Sequence, residues 1–233
     1  MKSSALASPL TAAPGSRGGG RPTYMLSPAL IALDQQVNVR TESVRALRTH
    51  IVARHLQEGR RAVVVCGASA AVGCSFVAAN LGVALSQIGV KTLLVDANLR
   101  TPKLDELFNP SEPVLGLQQC LAGGDAFSNY VQADVLPDLS IMFAGGRLAN
   151  PQELLASERF AELMNYCLRE YDMTIVDTPP ANVCSDVHRV STVAGYSLIV
   201  ARKDYSRVSD LRMLVEQLSH DGARVIGTVL TEA

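Results

Sequence analysis

The sequence predicts an α/β protein with a doubly wound, mainly parallel sheet and helices on both faces. Short Val/Ile/Leu runs recur along the chain, segments with helical spacing separate them, and several runs end in glycine or aspartate. Ala62-Val63-Val64-Val65 is a β-branched run that reaches its turn at Cys66-Gly67. From Ser75 a helix carries Val77, Leu81, Leu85 and Ile88 at helical spacing, with Gly89 as its C′ residue, and Thr92–Val95 is the next strand. Strand, small-residue loop, helix and strand form a βαβ unit, which implies parallel pairing.

That unit also decides against a membrane span. No charged residue lies between Arg61 and Lys91, a stretch long enough to cross a bilayer. Its β-branched run and small-residue loop divide it into a buried strand and a helix instead.

Later segments repeat the alternation. Leu139–Phe143 is a strand ending at Ala144-Gly145-Gly146, and Gln152–Arg169 a helix opened by Asn150-Pro151. Thr174–Val176 runs into Asp177-Thr178-Pro179-Pro180; Tyr196–Val200 and Arg224–Leu230 are strands with the helix Ser209–Leu218 between them. Residues 1–35 have a Ser/Ala/Pro/Gly composition, expected of a flexible lead-in without a continuous apolar export segment, and 36–233 form the domain.

Composition narrows the function. Of 233 residues, 21 are Lys or Arg and 22 Asp or Glu, so the net charge of −1 lacks the basic footprint of a nucleic-acid binder. Trp is absent and aromatics make up 5%, too few for base-stacking platforms. Five cysteines without a CxxC pair read as reduced thiols, and the four histidines, all isolated, as surface or structural residues.

Ligands in doubly wound folds bind outside the carboxyl ends of the strands, which selects Gly67–Ser75, Asp96–Arg100 and Asp177–Pro180. Ala68–Ser75 approximates the phosphate loop GxxxxGK[ST], in which backbone N–H groups surround phosphates, Lys neutralises charge and Ser/Thr holds Mg²⁺. Gly73 and Ser75 are kept; Ala68 replaces the first glycine and Cys74 the lysine. By spacing alone, a turn that merely packs a helix on a sheet explains this segment as well. Asp96 and Asp177, each directly after an apolar strand, are placed to meet Mg²⁺ beside Ser75. Either alone reads as a helix cap; the pair with the loop reads as a nucleotide site.

The segments VCGASAAVGCSFVAANLGVALSQ, LLVDANLRTPKLDELF and IVDTPP, in that order, resemble the bacterial tyrosine kinases, the cytoplasmic ATPase module of polysaccharide co-polymerases. Glu42-x-x-Arg45-x-x-Arg48 matches the family's ExxRxxR element, Gly145-Gly146 to Leu155 its GG…NPxELL segment, and Asp186 the aspartate after DTPP. The resemblance covers residue 40 to the C-terminus. It implies a P-loop NTPase-like fold and an ATP·Mg²⁺ site with Gly73, Cys74, Ser75 and Phe76 at the phosphates. Ser75, Asp96 and Asp177 would surround the metal, with Asp96 and Asp177 in the catalytic roles. It further implies a homo-oligomer joined through Glu42, Arg45 and Arg48. The partner would be a membrane polysaccharide co-polymerase on a separate chain, with the module cytoplasmic and held at the inner membrane through it. The implied activity is ATP-dependent protein-tyrosine phosphorylation in exopolysaccharide polymerisation, export and chain-length control.

Three departures bear on that activity. Cys74 cannot supply an ammonium, Asn98 replaces the second Asp of the family's DxD, and no tyrosine-rich segment follows Leu230. A catalytically impaired, nucleotide-binding or purely adaptor protein in the same pathway is the alternative. A partition- or septum-positioning ATPase is disfavoured, since its phosphate loop carries an additional early lysine. Arg100 and Lys103 could return some charge to the loop or be solvated cations. A helix N-terminus lowers a thiol pKa, so Cys74 as nucleophile or redox sensor is a further reading, although no base is visible.

Overall fold

In the computed structural model, residues 22–232 are described. The strands are β1 (Ala62–Cys66), β2 (Thr92–Asp96), β3 (Gln132–Leu136), β4 (Leu139–Met142), β5 (Met173–Asp177), β6 (Tyr196–Arg202) and β7 (Arg224–Thr231). They form one sheet in the order β3-β4-β2-β5-β1-β6-β7, parallel throughout except for β3 against β4. Helices α1 (Val39–Arg54), α2 (Cys74–Ser86) and α3 (Leu104–Phe108) pack on one face. On the other lie α4 (Leu117–Ala122), α5 (Gln152–Leu155), α6 (Glu158–Glu170), α7 (Asp186–Ala194) and α8 (Val208–His220).

Period-two alternation divides the strands between two cores. Val64 and Cys66 face Phe160, Leu163 and Val187, whereas Val63 and Val65 face Ile51, Leu81 and Leu85. The central strands are buried on both faces, as unbroken Val/Leu/Ile runs require. In α2 every residue from Val77 to Ser86 is buried, which accounts for the charge-free stretch. Among the described residues no helix is long and apolar enough to cross a membrane.

Four local features differ from what the sequence predicts. The helix expected over 152–169 is two helices, divided at Ala156-Ser157, where Ser157 Oγ donates to the Leu154 carbonyl at 2.6 Å and satisfies the end of the first. The regular part of α2 ends at Ser86; Gly89 takes the left-handed turn (φ +78°) beyond it, and Ile88 is exposed. Strand β3 escapes the periodicity because Gln132-Ala133-Asp134 are solvent-facing at a sheet edge.

The fourth concerns residues 22–35, which composition assigns to the flexible lead-in but which are anchored. Met25 and Ser27 donate backbone hydrogen bonds to Asn109 and Leu107, Leu30 is buried, and Asn80 of α2 bonds both Ala29 O and Ala32 N. The organising group is a buried amide on another element, invisible in local composition. Residues 1–21 lie outside the described residues.

Candidate nucleotide site

The loop Gly67–Gly73 joins β1 to α2 at the carboxyl edge of the sheet. Gly73 caps α2 at φ +97°, and Ala71 holds φ +59°, a left-handed conformation that costs a non-glycine residue on the order of 1 kcal/mol. Gly67 is required by space: a Cβ there would lie 2.5 Å from Val72 Cγ2 and 3.1 Å from the Val200 carbonyl.

Hydrogen bonding in this loop is one-sided. Its carbonyls are tied outward: Gly67 O accepts from Ala181 N, Ala68 O from Asn182 N, Ala71 O from Arg202 Nη1 and Val72 O from Thr231 Oγ1. The N–H groups of residues 68–73 donate to no protein acceptor among the described residues, and the first N–H groups of α2 have no intrahelical partner. A loop with most of its carbonyls satisfied and its N–H groups free, ending at a helix N-terminus, is built to receive an oxyanion.

Beneath it lie the carboxylates. Asp96 and Asp177 close β2 and β5 as a directly paired register position, and both are fully buried. Ser75 Oγ donates to Asp177 Oδ2 at 2.5 Å, while Asp177 Oδ1 is buried without a partner. Asp96 accepts from the backbone N–H groups of Asn98, Lys103 and Leu104. Burial raises the Asp96 carboxyl to about 7 in spite of those bonds, and burial together with the Asp96 charge pushes Asp177 well above the carboxylate range. Two adjacent buried carboxylates, a hydroxyl and an orphaned carboxylate oxygen make a hard oxygen set of the kind Mg²⁺ takes.

The remaining expected residues divide. Cys74 opens α2 in the lysine position and is half-buried; lost hydration first, and the Asp177 charge with it, push its thiol well above 9, opposite to the shift that a reactive thiol needs. Phe76 lies in the first turn with its half-buried side chain packed against the α2-face core. Asn98 spends its carbonyl oxygen on Thr101 N and Oγ1. Neither candidate replacement cation is free. Arg100 is committed to the buried Asp186 (2.7 Å) and to the Ala149 carbonyl, and Lys103 pairs with Glu106.

Glu42, Arg45 and Arg48 lie on α1, where Glu42 and Arg45 pair at 2.6 Å. A cavity of about 630 Å³ beside the loop is lined by other α1 residues together with Gly73, Phe76, Arg202 and Thr231. Sequence reasoning did not find Arg202 and Thr231, which fix the loop from β6 and β7; neither sits in a recognisable motif. The Arg100–Asp186 bond was half visible, since both residues were noted but not their contact.

No protein-family model matches the chain. It is 35% identical to EpsB of Ralstonia nicotianae over 188 residues, which is 81% of this chain and 25% of that one. The kinase domain of Escherichia coli tyrosine kinase ETK superimposes with a TM-score of 0.80 at 30% identity, covering 87% of this chain and 79% of that one. The chain belongs to the bacterial tyrosine kinase family. It spans about a quarter of the length of the curated relatives that it matches first. The cell division ATPase MinD of Pyrococcus furiosus, at 21% identity and a TM-score of 0.63, shares the fold, that of P-loop ATPases. Within the family, the loop, Ser75, Asp96 and Asp177 occupy the strand ends where such folds bind ligands.

Proposed function

We propose that this chain is the nucleotide-binding module of a tyrosine-kinase system, taking ATP with Mg²⁺ at the loop. It acts with a separate membrane co-polymerase in exopolysaccharide polymerisation, export and chain-length control. The observation that carries the nucleotide reading is the loop's divided hydrogen bonding, with carbonyls tied outward and N–H groups 68–73 free above Ser75 and Asp177. Ser75 and Asp177 would hold Mg²⁺, with Asp96 positioned beside them by its three backbone N–H groups. The ion would neutralise phosphate charge.

The chain's own residues then divide the work. Backbone N–H groups bind and orient phosphate oxygens, Ser75 and Asp177 fix the cation, and Arg202 and Thr231 hold the loop in its strained form. A specific observation favours a second, binding-only reading: Cys74 presents a neutral thiol where kinase chemistry uses an ammonium, and Arg100 and Lys103 are committed elsewhere. The module would then regulate assembly by nucleotide-dependent binding, without transferring phosphate. Glu42, Arg45 and Arg48, exposed or half-exposed along α1, are the proposed contact between copies; the module would be cytoplasmic, held at the inner membrane through its partner.

Calorimetric titration with ATP and Mg²⁺ tests the reading. Saturable binding lost in Asp177→Asn is expected. A folded protein that binds no nucleotide at millimolar concentration, and gains none from Cys74→Lys, overturns it. A phosphorylation assay with the co-polymerase then separates kinase from binding-only regulator.

A further inference from the structure

At the opposite edge of the sheet, by the amino ends of β1, β6 and β7, a cavity of about 300 Å³ lies between α1, the 56–58 turn and the strands. Arg54, Arg60 and Arg224 line it against a single carboxylate, Glu58, and Tyr196 and Ile226 form its apolar wall. Arg60 is engaged: it pairs with Glu58 and lies 5.0 Å over the Tyr196 ring. Arg54 and Arg224 are exposed and have no acidic partner among the described residues.

His55 supplies an independent observation. It lines the same cavity, is 2% exposed, and stands edge-on to Tyr196 at 4.9 Å. Its Nε2 lies 3.0 Å from the Ala62 carbonyl and donates to it, which leaves Nδ1 buried with no protein partner. With Nε2–H donating, Nδ1 of the neutral ring is a buried acceptor left without a donor, and a buried polar atom of this kind is the exception in a folded protein. Burial first, and the Arg60 charge with it, hold this imidazole neutral. An anion held beside it opposes the Arg60 charge and favours the imidazolium, in which Nδ1 is a donor.

We propose that this cavity binds a phosphate monoester carried on an aromatic stem. The phosphate sits between the exposed Arg54 and Arg224, with the buried His55 ring behind them, and the stem lies against Tyr196 and Ile226. Arginine is suited to the anion because its planar fork meets two oxygens at once. The inference stands apart from nucleotide binding, since the loop is at the other edge of the sheet.

The test is a titration of the full ¹⁵N-labelled chain with phenyl phosphate, followed by NMR. Saturable shifts are expected at residues 54–62, 196 and 224–226, with the His55 ring moving towards its imidazolium signature. Phenol, lacking the anion, and inorganic phosphate, lacking the stem, should each bind more weakly. Arg54→Gln and Arg224→Gln, both at exposed positions, should each weaken phenyl phosphate about tenfold. If the double variant fails to fold, a rise in salt must weaken binding to the wild-type protein by a similar order. Four outcomes overturn the proposal: no shifts up to about 20 mM ligand, a weaker regime than even a millimolar site; shifts confined to residues 67–76; affinity unchanged in the arginine variants; or binding only to phosphatidylserine vesicles. The last would assign the arginines to a membrane surface.

Discussion

The two halves of the proposed nucleotide site follow different building rules. The acidic half stands on the closing residues of β2 and β5, fully buried, with Ser75 locked to Asp177 and Asp96 held by three backbone N–H groups. The cationic half would consist of one side chain at position 74, and there the chain carries a thiol. The acidic half keeps each of its groups, Ser75, Asp96 and Asp177, whereas a function that rests on one ammonium is absent once that residue is exchanged.

The acidic half is broken most severely by Asp177→Asn, which keeps shape but removes the negative charge and turns one of the two oxygens into an NH₂ donor. ATP·Mg²⁺ affinity should fall at least about 100-fold, roughly 3 kcal/mol, in a calorimetric titration. The same variant should melt at a higher temperature without ligand, because it relieves a buried carboxylate pair. Loss of stability together with unchanged affinity would contradict the assignment.

Arg100→Ala tests whether the DTPP-following Asp186 belongs to the framework rather than to the chemistry. It strands a buried carboxylate whose guanidinium partner lies 2.7 Å away, and urea unfolding should show a loss of about 3 kcal/mol. A change of affinity at constant stability would return Arg100 to the phosphate site.

The cationic half is sharpened by Cys74→Lys. A charged hydrogen bond contributes about 1.5–3 kcal/mol, so ATP should bind tens of times more tightly. Unaltered affinity would mean that the lysine position no longer faces the phosphates.

The smallest effect is on pH. Asp96 and Asp177 have folded-state values raised above 3.8, Asp96 to about 7, so the folded state holds the protons more tightly than the unfolded chain. That contribution is fully present below about pH 4 and is lost as pH rises through about 7. Thermal stability without ligand should therefore decline across this window, and millimolar Mg²⁺ should restore it on the alkaline side. A flat profile would mean that the pair is already neutralised.

Much of the site was legible because its signals are local. The apolar runs that end in Asp96 and Asp177 state both the strand and the exit of the carboxylate, and Gly73-Cys74-Ser75 states the start of α2. The illegible parts depend on partners distant in sequence. Thr231 meets Val72 across 159 residues, Arg202 meets Ala71 across 131, and Asn80 fastens the segment around Ala29–Ala32 to α2. Composition marked that segment as flexible since no residue within it signals anchoring.

By itself the sequence determined the alternation of strands and helices, the two-sided burial of the sheet and the lysine-free loop between β1 and α2, because periodicity and residue chemistry act over a few residues. Only the tertiary structure decided that Arg100 belongs to Asp186, that its surroundings push the Cys74 thiol up, and that a buried histidine nitrogen goes unpaired beside a cavity lined by three arginines. Ion pairing, burial and hydrogen-bond satisfaction depend on which groups the fold brings within a few ångströms of one another, and spacing along the chain does not specify that.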